Sequence, residues 1–467
     1  MPGTISNLTI NNSTGVSLTN SLAINGTLEL TDGAFTINGT LTFQTSDNPV
    51  SRIAGTINTN PAANLVFGTV GNTGGAAFTI PASTFTADPI ITNLSVNRIN
   101  SLTLNEQMMS VSGIVLCNGP LNTNGNLTLL SDASGTALID GSGSGTVSGS
   151  VTMQRYLPQG FGYKYVSSPF ASSTVSEFGD DLDLTFWYPT FFKYDEGRTL
   201  SGWVAHNDPA DPLTPLSGYA GNFGSVLAAN TFDVSGTVNN GALSVTLYNN
   251  NNTYTQGLNL VGNPYPSPVD WDAASGWTKI NIDDAIYFFK SSTTDQYGGT
   301  YSSYVAGISS DGQVSNIIPS MQGFFVHVSD GAYPVSGTFG MNNSVRITDL
   351  THTFTKAGSR SSIQKGLYPQ IRISAEFDDD STSVDPAVIY LHPFATEEFD
   401  SDRDALKILN TDFSVPNIYS TLKDEKILSI NALPDFIEFP RRIPLGIKTN
   451  REGNILIKLQ EYDPWFD

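Results

Sequence analysis

Short runs of alternating apolar and polar residues, broken by Asn-Gly and Asp-Gly pairs, fill the first third of the chain. Leu22-Ala-Ile24-Asn-Gly-Thr-Leu28-Glu-Leu30 is one of them. A period of two turns one set of side chains to a core and the other to solvent, so each run predicts a β-strand. Asn and Gly tolerate the positive φ of tight corners between such strands. The pattern also repeats at an offset of 86: Ile5-Ser-Asn-Leu-Thr-Ile-Asn11 matches Ile91-Thr-Asn-Leu-Ser-Val-Asn97, and Asn38-Gly39 matches Asn124-Gly125. Two folds fit. In a parallel β-helix, stacked coils bury a continuous aliphatic column; in a hairpin sandwich, the Asn-Gly pairs make I′ turns. Asn- and Thr-rich strands with few aromatics favour the solenoid. The recurring sequons, such as Asn25-Gly-Thr27 and Asn38-Gly-Thr40, then read as turn and ladder chemistry rather than modification sites.

Three regions differ in pattern. The first, 1–150, is the solenoid-like repeat and closes on Gly141-Ser-Gly-Ser-Gly-Thr-Val-Ser-Gly149, expected to be a turn-like boundary without a core. That run lacks the lysine and the strand–helix setting of a phosphate loop. The second, 151–345, carries four of the five Trp and is duplicated. Tyr165-Val-Ser-Ser-Pro-Phe170 resembles Leu260-Val-Gly-Asn-Pro-Tyr265, Phe191-Phe-Lys193 resembles Phe288-Phe-Lys290, and Pro215-Leu-Ser-Gly-Tyr219 loosely resembles Pro319-Ser-Met-Gln-Gly-Phe324. Two such copies predict a pseudo-symmetric, aromatic-rich β-sandwich. The third, 346–467, has strand patterns at Gln370 to Phe377, Ala387 to Leu391, Lys426 to Ile430 and Asn454 to Leu459, which predict a second, acidic, jelly-roll-like sandwich whose last strands lie beyond the chain. The fold class is therefore all-β, with helix a minor component.

Composition narrows the function. A net charge of −21 opposes a phosphate backbone and an anionic membrane surface alike. No apolar run reaches the roughly 18 residues a spanning helix needs. The single cysteine, Cys117, forbids internal disulfides, which a chain large enough to build real cores does not require for export. Met1-Pro2-Gly3 leads straight into strand-like sequence and Trp465-Phe466-Asp467 ends on apolar residues, so both ends are expected to be cut from a longer precursor.

Leu258-Asn-Leu-Val-Gly-Asn-Pro-Tyr-Pro-Ser-Pro-Val-Asp-Trp271 resembles the "NLVGNPYPS…DW" signature of large exported Bacteroidetes proteins, as does Pro319-Ser-Met-Gln-Gly-Phe-Phe-Val326. Asp404-Ala-Leu-Lys-Ile-Leu and Ile443-Pro-Leu-Gly-Ile-Lys-Thr-Asn450 resemble what precedes the C-terminal sorting domain of type IX secretion substrates. The resemblance covers the last two thirds of the chain, without the sorting domain. It implies export and cell-surface residence, and leaves the ligand open among adhesins, surface-layer components and accessory modules of polysaccharide-degrading enzymes.

Catalytic motifs are missing. His206, His327, His352 and His392 are scattered singly, there is no HExxH and no Gly-x-Ser-x-Gly elbow, and the first region offers seven acids but only Arg52 and Arg98 as bases. Two constellations remain. Asp378, Asp380, Asp400, Asp402 and Asp404 cluster carboxylates at spacings that suit a structural Ca²⁺, though not in an EF-hand pattern. Trp203, Trp271, Trp277 and Tyr301, with Tyr297 and Tyr304 nearby, lie beside Gly-, Ser- and Asp-rich loops where rings can stack on sugars, or else fill the two half-sandwich cores. The expected function is a non-enzymatic secreted or surface adhesin or structural protein whose partner is an extracellular glycan or another surface protein. The runner-up is a carbohydrate-binding accessory region of an exported enzyme.

Overall fold

The computed structural model describes residues 3–44, 47–71, 75–86, 88–105, 108–352, 368–435 and 442–466, and it is all-β. The alternating runs form a parallel β-solenoid of about six turns. Its longest sheet stacks Gly3–Ile5, Leu22–Ile24, Thr40–Phe43, Asn64–Phe67, Asn93–Val96, Ile114–Cys117 and Leu138–Ile139, each parallel to the next. Register places like on like: Leu41 on Leu65 on Leu94, and Phe43 on Phe67 on Val96. These side chains are buried, and the Phe43 and Phe67 rings stack at 4.9 Å. The polar side of each corner carries an amide ladder, with Asn93 donating to Asn64 and Asn118 to Asn97, both at 2.8 Å.

The 86-residue repeat is not the structural period. Leu8 lies in Leu8–Asn11, paired with Leu28–Asp32, whereas its counterpart Leu94 lies in a different sheet. The coil is shorter, because Leu22 pairs with Leu41 and Leu65 with Leu94. Asn38-Gly39 is a coil corner rather than a hairpin turn. A Cβ on Gly39 would lie 2.5 Å from the Asn20 carbonyl oxygen of the coil below, so close stacking of coils is what demands the glycine. The Gly141–Gly149 run obeys the same rule. A Cβ on Gly143 or Gly145 would meet the carbonyls of Cys117 or Gly119, and Val147–Ser148 pairs with Leu121–Asn122. The expected boundary is therefore one more solenoid coil.

The solenoid runs directly into the middle region. Strand β1 (Ser150–Leu157) is parallel to Leu127–Leu129 on one edge and antiparallel to β6 (Asn230–Thr237) along all eight residues of the other. One hydrophobic cluster continues from Leu129 and Met153 into Phe170, Phe178, Phe191 and Phe232. At the same junction Arg155, fully buried, donates to the Thr136 hydroxyl and the His352 carbonyl, both at 3.0 Å.

The middle region repeats one topology. Strands β2 (Tyr163–Val166), β3 (Phe191–Tyr194), β4 (Trp203–Ala205) and β5 (Tyr219–Asn222) form a sheet in the order β2-β5-β3-β4. After β7 (Leu243–Asn249), the strands β8 (Leu258–Gly262), β9 (Ile282–Ser291), β10 (Gly299–Val305) and β11 (Gly323–Val328) take the same order, β8-β11-β9-β10. Tyr165 opposes Ala220 as Leu260 opposes Phe325, the register the sequence duplication demands. The halves grip each other reciprocally: the Ser167 N–H donates to the Met321 carbonyl and the Gly262 N–H to the Leu216 carbonyl, both at 2.9 Å. Leu216 and Met321 share a positive φ, 66° and 62°. The Asn-Pro-Tyr signature builds this turn. Asn263 accepts from the Tyr265 N–H at 3.0 Å while its buried amide faces the carbonyls of Ser267, Ile318 and Pro319. In the first copy the Ser168 hydroxyl accepts from Phe170 N–H at 3.1 Å in the same way.

Residues 370–462 form one curled, mixed sheet with β12 (Val335–Met341) left to the middle region. Its order is β17-β15-β16-β14-β13-β18, from β13 (Gln370–Phe377), β14 (Asp380–His392), β15 (Asn417–Thr421), β16 (Ile427–Pro434), β17 (Leu445–Lys448) and β18 (Ile455–Tyr462). One face buries Val388, Tyr390, Ile430 and Ala432 against Leu260, Tyr287, Phe289 and Phe325, so the sandwich predicted for this region takes its second layer from the middle one.

Asn263→Ala takes one donor from three carbonyls and the acceptor from the Tyr265 N–H, and is expected to cost about 2–3 kcal/mol, read as a lower urea midpoint. Ser168→Ala removes the hydroxyl's two hydrogen bonds, with the N–H and carbonyl of Phe170, from the equivalent turn and is expected to cost about 1 kcal/mol.

Candidate functional site

A cleft of about 980 Å³ opens on the first sheet of the middle region, and two loops and a floor shape it. The first loop is rooted by Phe178, buried in the short 3-10 turn Val175–Phe178 and packed against Phe191 and Phe232 at 4.9 and 5.6 Å. Asp183 then accepts from the Thr185 N–H and hydroxyl at 3.0 and 2.7 Å, an Asx turn that fixes the tip. The tip presents Phe186, Trp187 and Tyr188; Trp187 is 86% exposed. The site was not foreseen from the sequence: Tyr287-Phe-Phe289 is an equally aromatic triplet and is buried, so ring density alone did not mark it.

The second loop joins β9 to β10. The Ser292 hydroxyl accepts from the N–H groups of Thr294 and Asp295, and Asp295 accepts from Tyr297 N–H at 3.0 Å. Gln296 donates to the Asn222 side chain at 3.1 Å, tying the loop to β5. Tyr297 is left largely exposed at the cleft edge. The floor is Tyr165 stacked on Phe289 at 4.7 Å, with the Tyr165 and Tyr301 hydroxyls 2.7 Å apart and Trp203 tilted against Tyr165 at 5.5 Å.

Two of the four aromatics proposed from sequence, Trp203 and Tyr301, line this cleft. The other two do not. Trp271 is 2% exposed, packed edge-on against Trp277 at 4.7 Å in the core of the second copy beside Phe339. Their indole N–H groups donate to the carbonyls of Asp284 and Asp270, both at 2.8 Å, so these rings complete a core rather than offer a stacking face. Tyr304 is buried too, its hydroxyl donating to Asp272.

The ionisable groups of the cleft, apart from tyrosines, are Asp181 and Asp183. Burial pushes the Asp181 carboxyl up to about 7, reinforced by the charges of Asp180 and Asp233. Burial likewise pushes the Tyr301 hydroxyl up to about 12. Across Tyr301 lies a second cavity, about 760 Å³, walled by hydroxyls such as Ser292, Thr294, Ser381 and Ser383. Its cations are already engaged: Lys290 pairs with Asp311, and Arg372 donates to the Ser309 carbonyl at 2.6 Å.

The five candidate metal ligands fall into two groups. Asp378 and Asp380 occupy the β13–β14 hairpin, where Asp378 accepts from Asn454 and Asp380 from Thr382 N–H, each at 2.9 Å. Asp400 accepts from Thr396 N–H at 2.6 Å, Asp402 pairs with Arg403, and buried Asp404 accepts from the N–H groups of Asp400 and Ala432. Ala432 opposes Tyr390, ten residues along β14 from Asp380. At about 3.3 Å per residue the groups lie on the order of 30 Å apart, so one ion cannot bridge them. Among the described residues, no group of three or more His, Cys, Asp or Glu side chains is arranged to hold a metal.

A family model described as a domain of unknown function (DUF8693) matches residues 69–467, which takes in the later solenoid coils, the middle region and the curled sheet. Comparisons with curated proteins and with solved structures find no match.

Burial also pushes Asp404 up to about 7, against the two backbone N–H groups that favour its charged form. For Asp181 and Asp404 the folded value therefore exceeds the unfolded one, near 3.8. Their stabilisation is complete below that value and is lost as pH rises toward 7, because the folded state must then release protons the unfolded chain has already given up. Thermal melts across this window are expected to fall less steeply with pH in Asp181→Asn and Asp404→Asn than in the parent protein.

Proposed function

The chain belongs to this family of domains of unknown function, and from that premise we propose that it is a non-enzymatic, exported attachment protein that holds a glycan in the aromatic cleft. The observation that carries the reading is the cluster of large rings left in solvent. Phe186, Trp187, Tyr188 and Tyr297 are each at least 45% exposed and border one cavity. Exposed contiguous apolar surface costs solubility and marks binding. A cleft with aromatic walls and a few placed polar groups suits a ligand with apolar faces and hydroxyl edges. Asn222, Gln296, Ser201 and Thr411 supply the polar groups here.

Export and surface residence rest on the resemblance of the Asn-Pro-Tyr and pre-sorting-domain motifs to those of secreted Bacteroidetes proteins. Among the described residues no helix is long and apolar enough to cross a membrane. In this reading the solenoid is the spacer. Its core runs unbroken into the sheet that carries the cleft, so a pull on the bound ligand would pass into the coils through packed side chains rather than a loose linker.

The test is a glycan array with the whole chain. Retention of a defined set of glycans is expected, with about tenfold weaker binding in Trp187→Ala or Trp203→Ala, a loss of roughly 1.4 kcal/mol. Trp187 is exposed enough that its substitution leaves the fold intact, whereas Trp271→Ala is expected to lower the melting temperature. An array on which the wild-type chain retains no glycan would overturn the reading.

A further inference from the structure

We infer that the ligand of the aromatic cleft is an extended glycan chain without acidic groups; this rests on the glycan reading above and specifies it. The first observation is the arrangement of the rings. Phe186, Trp187, Tyr188, Phe192, Tyr163 and Tyr297 follow one another with centroid separations of 5.8, 5.9, 6.2, 6.2 and 6.5 Å. Successive rings are tilted by 44° to 64°, and none of the described ring contacts closes the string on itself. A single cation is held by rings that converge on one point. A string of rings presents one apolar surface after another and matches a chain of repeating units.

The second observation is charge. Among the described residues that line the cleft none is Lys, Arg or His, and the acids there are Asp181 and Asp183. Across Tyr301, Lys290 is paired with Asp311 and Arg372 with Glu461, and Lys407 is closed into a buried pair with Asp385 at 2.5 Å. A uronate or sulfate brought into the cleft would lose hydration without gaining a counter-charge, and it would face a chain of net charge −21.

The third observation is the state of the two acids. Asp183 is spent on its own loop, accepting from Thr185. Asp181 is half-buried beside Asp180 and Asp233, so an incoming acid would meet further carboxylates rather than a partner. The remaining polar groups, Thr190, Ser201, Asn222, Gln296 and Thr411, are uncharged donors and acceptors.

Calorimetric titration of the whole chain with two sets of oligosaccharides tests this: neutral hexose or pentose oligomers of increasing length and uronic-acid oligomers, each at low and high ionic strength. The expected result is binding of a neutral series, tightening with length to a plateau, unchanged by salt, and weakened about tenfold by Tyr297→Ala as by Trp187→Ala. Preference for the uronic-acid series would overturn the inference and leave the glycan reading standing. Equal affinity for monomer and long oligomer would overturn the extended site. Failure of both series to bind would remove both.

Discussion

The antiparallel pairing of β1 with β6 is the contact on which the rest of the molecule is built. A solenoid ends in an exposed coil whose apolar column and strand edges invite aggregation, and such ends must be capped. Here the last strand is used twice, as the final parallel rung of the solenoid and as the edge partner of a strand in the next unit. The cap is therefore the functional region itself. Phe170, Phe178, Phe191 and Phe232 continue the solenoid's core, and Phe178 roots the loop that carries Trp187. The signature turn adds a second tie: the Pro266 carbonyl accepts from the Ile139 N–H at 2.9 Å, and Arg346 joins the Ser267 hydroxyl to the Ile139 carbonyl while lying over the Tyr265 ring. Motifs that look like a site are thus fold chemistry.

The cleft exists because the duplication is imperfect. Both copies share strand order, register and the reciprocal grip through Leu216 and Met321. In the second copy the face bearing Leu260, Tyr287 and Phe289 is covered by the curled sheet, with the Tyr287 hydroxyl accepting from Leu406 N–H at 2.9 Å. The first copy's sheet leans on the same cluster at one side only, and the uncovered part of it, around Phe192 and Trp203, is the cleft floor. Equivalent lysines record the difference: Lys193 is exposed, whereas Lys290 is buried and paired with Asp311. A covered face has become stability, and its uncovered twin remains free to bind.

What the sequence determined by itself is the local and periodic part. Alternation, turn residues and the aliphatic column made the all-β class and the solenoid legible, because a period of two has one physical meaning for a half-buried backbone. The duplication of 151–345 was legible for a similar reason, since the same Pro, Gly and aromatic signals recur in the same order in both copies. Tertiary structure decided whatever depended on a neighbour distant in the chain. Gly141–Gly149 reads as a linker until the coil beneath it is known to lie too close for a Cβ. The acids at 378–380 and 400–404 look adjacent along the chain, but β14 carries them to opposite ends of one strand. Trp203 and Trp271 both lie beside Gly-, Ser- or Asp-containing loops in the sequence, and only tertiary packing, with Phe339 against Trp271, leaves one ring at a cleft and buries the other. Burial is a property of surfaces that meet, and which surfaces meet is not written in any one segment.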